Sequence, residues 1–402
     1  MSRHLSARRA RRFAVAALST AAALAGAGPA SAATRDVVVV GNAFGGTVSF
    51  LDGTTFQNLG SINIAPDRAA RKAALLNFNL VNTVQWEVVK AQKGGENLID
   101  DMALTPDGKT LIVSRGILQD VVAWDIATKK VKWKAETNSA NADHMAISPD
   151  GKRILVSASS IGYTHVFDTA TGKKITSIGA GDFPHGVDFS ANGQRIYIGS
   201  IGTVYLPYAL NDQKGDRQLT VVDAATYKTL RVHKFQAGVR PTVITADESK
   251  AYLQLSYRRG FIEFDLATGK TSREFNTPGT LAGNQLFPDR LPANSMHHGL
   301  AIDGTETKFC NAGTIDNQIQ IVDRASLTAT STVGGFSKPY WSQNDRTGTL
   351  CLVSNSTGNY VSVISYATGQ EVKRVPVGRY PQRERLGVVD TAALATLSTS
   401  VG

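Results

Sequence analysis

The sequence predicts an all-β chain, a seven-bladed β-propeller of four-stranded antiparallel blades whose C-terminal strand joins the first blade. Three observations predict it. A strand–turn–strand unit built around Pro-Asp-Gly or Asx-Gly recurs along the chain, as in Ala146-Ile147-Ser148-Pro149-Asp150-Gly151-Lys152-Arg153-Ile154. The third strand of the repeat, C, ends in Asp-x-Ala-Thr, and the fourth, D, opens with Gly-Lys-Lys or a similar run. Finally, the chain begins on a second strand, B, that has no first strand, and ends on a first strand, A, that has no second.

The elements follow in order. Asp36 to Asn42 reads as strand B of the first blade, Thr47 to Asp52 as C and Leu59 to Ile64 as D. The second blade runs from Leu98 to about Thr137, the third from His144 to Gly179, and the fourth from His185 to Phe235. The fifth runs from Thr242 to Phe275, the sixth from His298 to Val333, and the seventh from Pro339 to Val377. Each strand alternates apolar and polar residues, and Asx-Gly is the pair a tight reversal requires. Pro381 to Asp390 is one more strand A, and its natural place is beside the first blade, where it removes the open sheet edges. A repeat protein can thus use all of 402 residues in one domain, here 33–402.

Residues 1–32 read as a signal peptide: five arginines, then an Ala/Leu-rich run from Phe13 to Gly28, then Ala30-Ser31-Ala32 for cleavage. Arg11-Arg12-Phe13 also fits a twin-arginine signal, so two export routes remain open. The expected location is secreted or extracytoplasmic, with cell-wall association as one form of it. The apolar run is short for a membrane span, and no other segment is apolar enough. The formal charge is +10; removing the five arginines of the signal, which holds no acid, leaves +5. That mild excess, with no arginine-rich or aromatic-interleaved stripe, argues against a nucleic-acid partner. A monomer is expected. Cys310 and Cys351 lie about one repeat apart, and either a disulfide between neighbouring blades or two buried thiols fits.

Ile147-Ser148-Pro149-Asp150-Gly151-Lys152-Arg153, Phe183-Pro184-His185-Gly186-Val187 and Val361-Ser362-Val363-Ile364-Ser365-Tyr366-Ala367-Thr368-Gly369 resemble the repeat signatures of the YVTN-type seven-bladed propellers. The resemblance implies an exported propeller. For function it implies only a choice among binding proteins and lactonase-like enzymes, because fold-level likeness does not carry chemistry.

Three segments break the repeat: 66–96, with a short helix expected from Asp67 to Leu76, then 205–216, and 280–295. In an alternating blade, D–A and B–C connections leave on one face, so all three insertions and the starts of the A strands share it. Long loops gathered on one face of a rigid scaffold mark the working face.

Strand A lines the channel. Aligning its first residues gives a ring of Asp101, His144, His185, Thr242, His298, Tyr340 and Gln382 or Arg383, with His297 beside it. Imidazoles from separate blades can converge on the axis, and three with an open position suit copper or zinc, and also iron. The expected metal ligands are therefore His144, His185, His298 and His297. Asp101 is expected to assist as a further ligand, as a partner fixing a tautomer, or as a general base, and Tyr340 to shape the pocket. The alternative is that the histidines tie loop backbones together around a watery channel. A histidine-lined seven-bladed propeller resembles the copper-binding propeller of nitrous-oxide reductase, but the full complement of histidines is missing and its chemistry does not carry over.

His165 and His233, on outer strands, read as structural. Tyr205 and Tyr208 sit in an insertion above the ring, where they can stack on a ligand or pack the loop. Arg68, Arg71 and Lys72 make the first insertion either a basic lid or a solvated helix face. No nucleotide-binding, haem-attachment or Gly-x-Ser-x-Gly motif is present, and the Asp-Gly pairs belong to turns rather than calcium loops. The pattern points to a metal-dependent enzyme acting on a small molecule: an oxidoreductase with copper or iron, a hydrolase or lactonase with zinc or calcium. The alternative is a non-catalytic propeller recognising a ligand, peptide or cell-wall polymer on the same face.

Overall fold

The computed structural model describes residues 33–286 and 295–397. Residues 1–32, where a signal peptide is expected, and part of the third insertion lie outside the described residues. Seven four-stranded antiparallel sheets follow one another. In the first, Pro381–Asp390 pairs with Thr34–Asn42, so the last strand closes the ring as the unpaired strands predict.

Short side-chain locks explain why the motifs repeat. In the A–B turn of the third blade, Ser148 Oγ accepts from Arg153 N at 3.0 Å and Asp150 Oδ1 from Lys152 N at 3.1 Å. Gly151, at φ +69°, supplies the left-handed position that such a turn needs. In the C–D turn, Asp168 Oδ1 accepts from both Thr171 N at 2.8 Å and Thr171 Oγ1 at 2.6 Å. The same lock is made by Asp125 with Thr128, Asp223 with Thr226, and Asp265 with Thr268. Asp-x-Ala-Thr is therefore a turn lock, in which the carboxylate mimics a backbone acceptor.

Apolar residues of the A, B and C strands pack blade against blade. Val37, Val39 and Phe50 of the first blade meet Leu111, Val113 and Val122 of the second. Each such side chain contributes about 1.5–3 kcal/mol when fully buried. The outer strands are largely exposed, as in Lys130–Glu136. Cys310 and Cys351, on the B strands of the sixth and seventh blades, form a disulfide with Cα atoms 6.4 Å apart. It staples neighbouring blades and is consistent with an extracytoplasmic protein. No helix among the described residues is long and apolar enough to cross a membrane.

The first insertion holds two helices, α1 (Arg68–Leu76) and α2 (Leu80–Lys93). The second of these was not foreseen, although its caps are in the sequence. Asn79 accepts from Asn82 N at 2.9 Å, and Gly94 ends the helix in a left-handed conformation. The second insertion carries a 3-10 turn, Tyr208–Gln213. Gln92 Nε2 on α2 donates to Val204 O at 2.9 Å, joining the first insertion to the loop that leads into the second.

Candidate functional site

The A strands carry the site, and a bulge near their start decides which side chains face the axis. Pro184 pairs with Ser200 and Val187 with Ile198, so His185 and Gly186 together oppose one residue. The same shift occurs at Asp143-His144, Arg240-Pro241 and Tyr340-Trp341. A bulge of this kind re-aims two successive side chains where a regular strand would alternate them.

This register corrects the ring read from the sequence. His185 and His298 share a position with Arg240, Tyr340 and Gln382, but also with Asp100 and Asp143. Asp101 and His144 stand one residue further along, level with Trp341 and Arg383. Thr242 stands two residues beyond the axial position, which Arg240 takes. Blades whose axial residue follows a proline (Pro184, Pro339, Pro381) align correctly from sequence. The second, third, fifth and sixth lack that marker; the sixth still aligns because His298-Gly299 repeats His185-Gly186, and in the fifth Pro241 falls after the position.

Three of the histidines nonetheless come together. The rings of His144 and His185 are 4.1 Å apart by centroid, those of His185 and His298 5.3 Å, and those of His144 and His298 6.1 Å. One nitrogen from each lies within 4.8 Å of the others. All three residues are buried, and Nδ1 of His185 and of His298 has no hydrogen-bond partner in the described structure. Burial holds each imidazole well below its usual 6.5. The next cause is the Arg383 guanidinium for His144, Arg240 for His185, and the His185 ring for His298. The rings are therefore neutral at neutral pH, the form in which imidazole offers a lone pair.

Acids and cations surround them. Arg383 donates from Nη2 to His144 Nε2 and from Nη1 to Asp100 O at 2.8 Å. Asp100 also takes Asn97 Nδ2 at 2.6 Å and Lys93 Nζ at 3.0 Å. Burial, and then the neighbouring Asp143 carboxylate, raises the Asp100 pKa. Asp143 Oδ2 accepts from Ser159 Oγ at 3.0 Å, while its buried Oδ1 has no hydrogen-bond partner. Asp100, Asp143 and His144 form a second group whose ligand atoms lie within 4.8 Å of one another. Tyr340 stacks on His298 with ring centroids 4.2 Å apart. Trp341 lies under both Arg383 and Arg385, each guanidinium 5.0 Å from the ring centre.

Two expected participants are placed elsewhere. His297 turns away from the axial cluster: its Nδ1 accepts from Gly260 N at 3.0 Å and its Nε2 meets Asp316 Oδ2 at 3.3 Å. Asp101 is bound by Arg385 Nη2 at 2.6 Å and by the amides of Met102 and Met145 at 2.8 and 3.1 Å. Neither belongs to a ligand group, and the carboxylates that do are Asp100 and Asp143. His165 and His233 sit on outer strands, His165 bonded to Ser177 and Thr137, and His233 packed against Phe264.

A narrow cavity of about 20 Å³ opens on the insertion-bearing side of the cluster, lined by His185, Asp143, Arg240, Tyr340, Lys93 and Tyr205 among others. A second, also of about 20 Å³, meets His144 and Trp341 from the other side and is lined by Asp188 as well. Arg68 and Lys72 pair with Glu96, and Arg71 with Glu136, so these bases brace the first insertion and do not line the cavity. Lys93 and Arg240 carried no motif, and only the cap-to-cap reading of α2 or the register of the fifth blade points to them.

No family model and no curated protein matches the chain. It is similar to a solved structure of Kuenenia stuttgartiensis hydrazine synthase, at 18% identity and a TM-score of 0.44, over 67% of this chain and 95% of that one. A likeness of that degree carries no argument about function.

Proposed function

We propose that the protein is an exported, metal-dependent enzyme that acts on a small molecule in the cavity on the insertion-bearing face. The observation that carries this reading is the convergence of three buried, neutral imidazoles from three blades, two of them with an unpartnered Nδ1. A ring nitrogen buried without a hydrogen-bond partner is costly unless something fills the site. His144, His185 and His298 would hold the ion, with Asp100 and Asp143 offsetting its charge. A bound metal would supply electron transfer if copper or iron, and Lewis acidity if zinc.

The chain's own groups have separable tasks in this proposal. Tyr340, held against His298, gives the substrate a wall beside the cluster. Lys93 offsets part of the burial and Asp143 repulsion that raise the Asp100 pKa. Helix α2, with Val89, Gln92 and Lys93 on the cavity, limits entry of water from above. Membership of the YVTN-type propellers and export through residues 1–32 belong to the same proposal. The repeat motifs support the first, and the disulfide supports the second.

One contact favours a second reading. The Arg383 guanidinium already occupies His144 Nε2, as it would in a closed polar plug beneath a pure binding site. The test is to strip the protein with chelator, restore copper, zinc or iron singly, and screen oxygen uptake and ester or lactone hydrolysis. The proposal expects one metal to restore one activity, and His185→Ala with His298→Ala to abolish it while the protein stays folded. An activity indifferent to chelation and to both substitutions would contradict it.

A further inference from the structure

Aromatic side chains close in on the axial cluster. Tyr340 stacks on His298 at 4.2 Å, and Trp341 packs edge-on to His144 at 5.3 Å. Beside the rings lie the two narrow cavities, one lined by His185 and the other by His144, each of about 20 Å³. A water molecule needs about 10–15 Å³ of such space. Each cavity therefore has room for a ligand of two or three heavy atoms, and not for a ring or a branched carbon chain.

The cavity beside His185 has a fixed outer wall. Val89 on α2 and Val204, ahead of the second insertion, are both buried and both line it. Gln92 Nε2, one turn along α2 from Val89, donates to Val204 O at 2.9 Å, and Lys93 Nζ donates to Asp100 Oδ2 at 3.0 Å. Behind Val204, Phe183, Ile201 and Tyr205 pack as an apolar cluster, with Tyr205 edge-on to Phe183 at 5.2 Å. A close-packed wall held by such bonds does not yield by the width of a ring without breaking them. On the inner side the cavity meets Asn141, Asp143 and His185. Each has a buried side-chain atom (Asn141 Oδ1, Asp143 Oδ1, His185 Nδ1) with no hydrogen-bond partner in the described structure. A small polar ligand in this space would offset part of that cost.

We propose that the cavity beside His185 is a size filter, admitting to the metal only inorganic ligands of two or three heavy atoms, dioxygen and azide among them. Val89 and Val204 set the limit. The proposal rests on the metal site assigned above to His144, His185 and His298, and it names the substrate class of that site. An ester or lactone exceeds the space, so the reaction it favours is that of an oxidoreductase.

The experiment is calorimetric titration of the exported protein, loaded singly with copper, zinc or iron and assayed first for metal content, with azide, imidazole and benzoate. Imidazole suits the same metals, so its exclusion reports the space and not the chemistry of the ion. Azide is expected to bind at least about tenfold more tightly than imidazole or benzoate, a difference of about 1.4 kcal/mol. Val89→Ala, which takes two methyl groups from the outer wall, should let imidazole in and erase that preference. If this variant fails to fold, the three wild-type affinities still decide. Metal-loaded protein that binds imidazole or benzoate as tightly as azide, or binds no azide, would overturn the proposal and leave the metal site standing. An unchanged preference in folded Val89→Ala would overturn the role of this cavity. Protein that takes up no metal would overturn both readings.

Discussion

His297 and His298 are neighbours in the chain, both fully buried, and they do opposite things. His297 has both ring nitrogens engaged, by Gly260 N, Asn311 and Asp316. Asp316 in turn anchors the third insertion, accepting from Thr280 N at 2.8 Å and pairing with Arg259 at 2.8 Å. His298 stacks on Tyr340, faces two other imidazoles, and leaves Nδ1 unpartnered. A satisfied buried histidine holds the fold. One with an unpartnered ring nitrogen costs stability and is kept for something else. Asp101 and Asp143 repeat the contrast: Asp101 is held by Arg385 and two amides, while Asp143 leaves Oδ1 without a hydrogen-bond partner beside the cluster.

The contrast can be broken by substitution. The largest effect is expected from Asp101→Ala, which leaves Arg385 and two buried amides without their acceptor. It should cost about 3–5 kcal/mol in urea unfolding and leave metal content unchanged. His297→Ala follows at about 2–4 kcal/mol, because it frees the Gly260 amide and half of the Asp316 network. Metal content should again be unchanged, and metal loss in either variant would mean that the two classes of residue are not distinct.

Acid unfolding sharpens the comparison. Burial holds His144, His185 and His298 well below 6.5, so the unfolded chain takes up protons that the folded chain refuses. Stability is therefore full above pH 6.5 and is lost as the pH falls below it. In metal-free protein the acid limb of the stability curve should be steeper for the wild type, which has three such histidines, than for the double variant His185→Ala, His298→Ala, which keeps one. Equal slopes in the two proteins would show that the cluster is already protonated or exposed. The smallest stability effect, about 1 kcal/mol, is expected for His298→Ala, whose main consequence should be lost metal.

The repeat was legible because its locks are local. Ser148 to Asp150, and Asp168 to Thr171, are bonds between residues two or three apart, and local bonds leave a motif. The ring closure was legible because an unpaired strand at each end has one place to go. The site was only partly legible. The convergence of His144, His185 and His298 survived an alignment that was one residue out for His144, because the bulge brings both residues of each pair to the channel. Asp100, Asp143 and Arg240 were missed for the same reason: a bulge is a register shift with no residue signature in blades that lack both the preceding proline and the His-Gly pair. Lys93 was missed because α2 was read as loop, although Asn79 and Gly94 bracket it.

The central claim is that the axial histidines, and not the satisfied ones, hold a metal ion. The most direct test is elemental analysis of natively exported protein, as wild type, His297→Ala, and the double variant His185→Ala, His298→Ala. The account expects about one equivalent of copper, zinc or iron in the first two and none in the third, with all three folded. No metal in the wild type after reconstitution, or equal metal in the double variant, would contradict it and leave the cluster as the floor of a binding site.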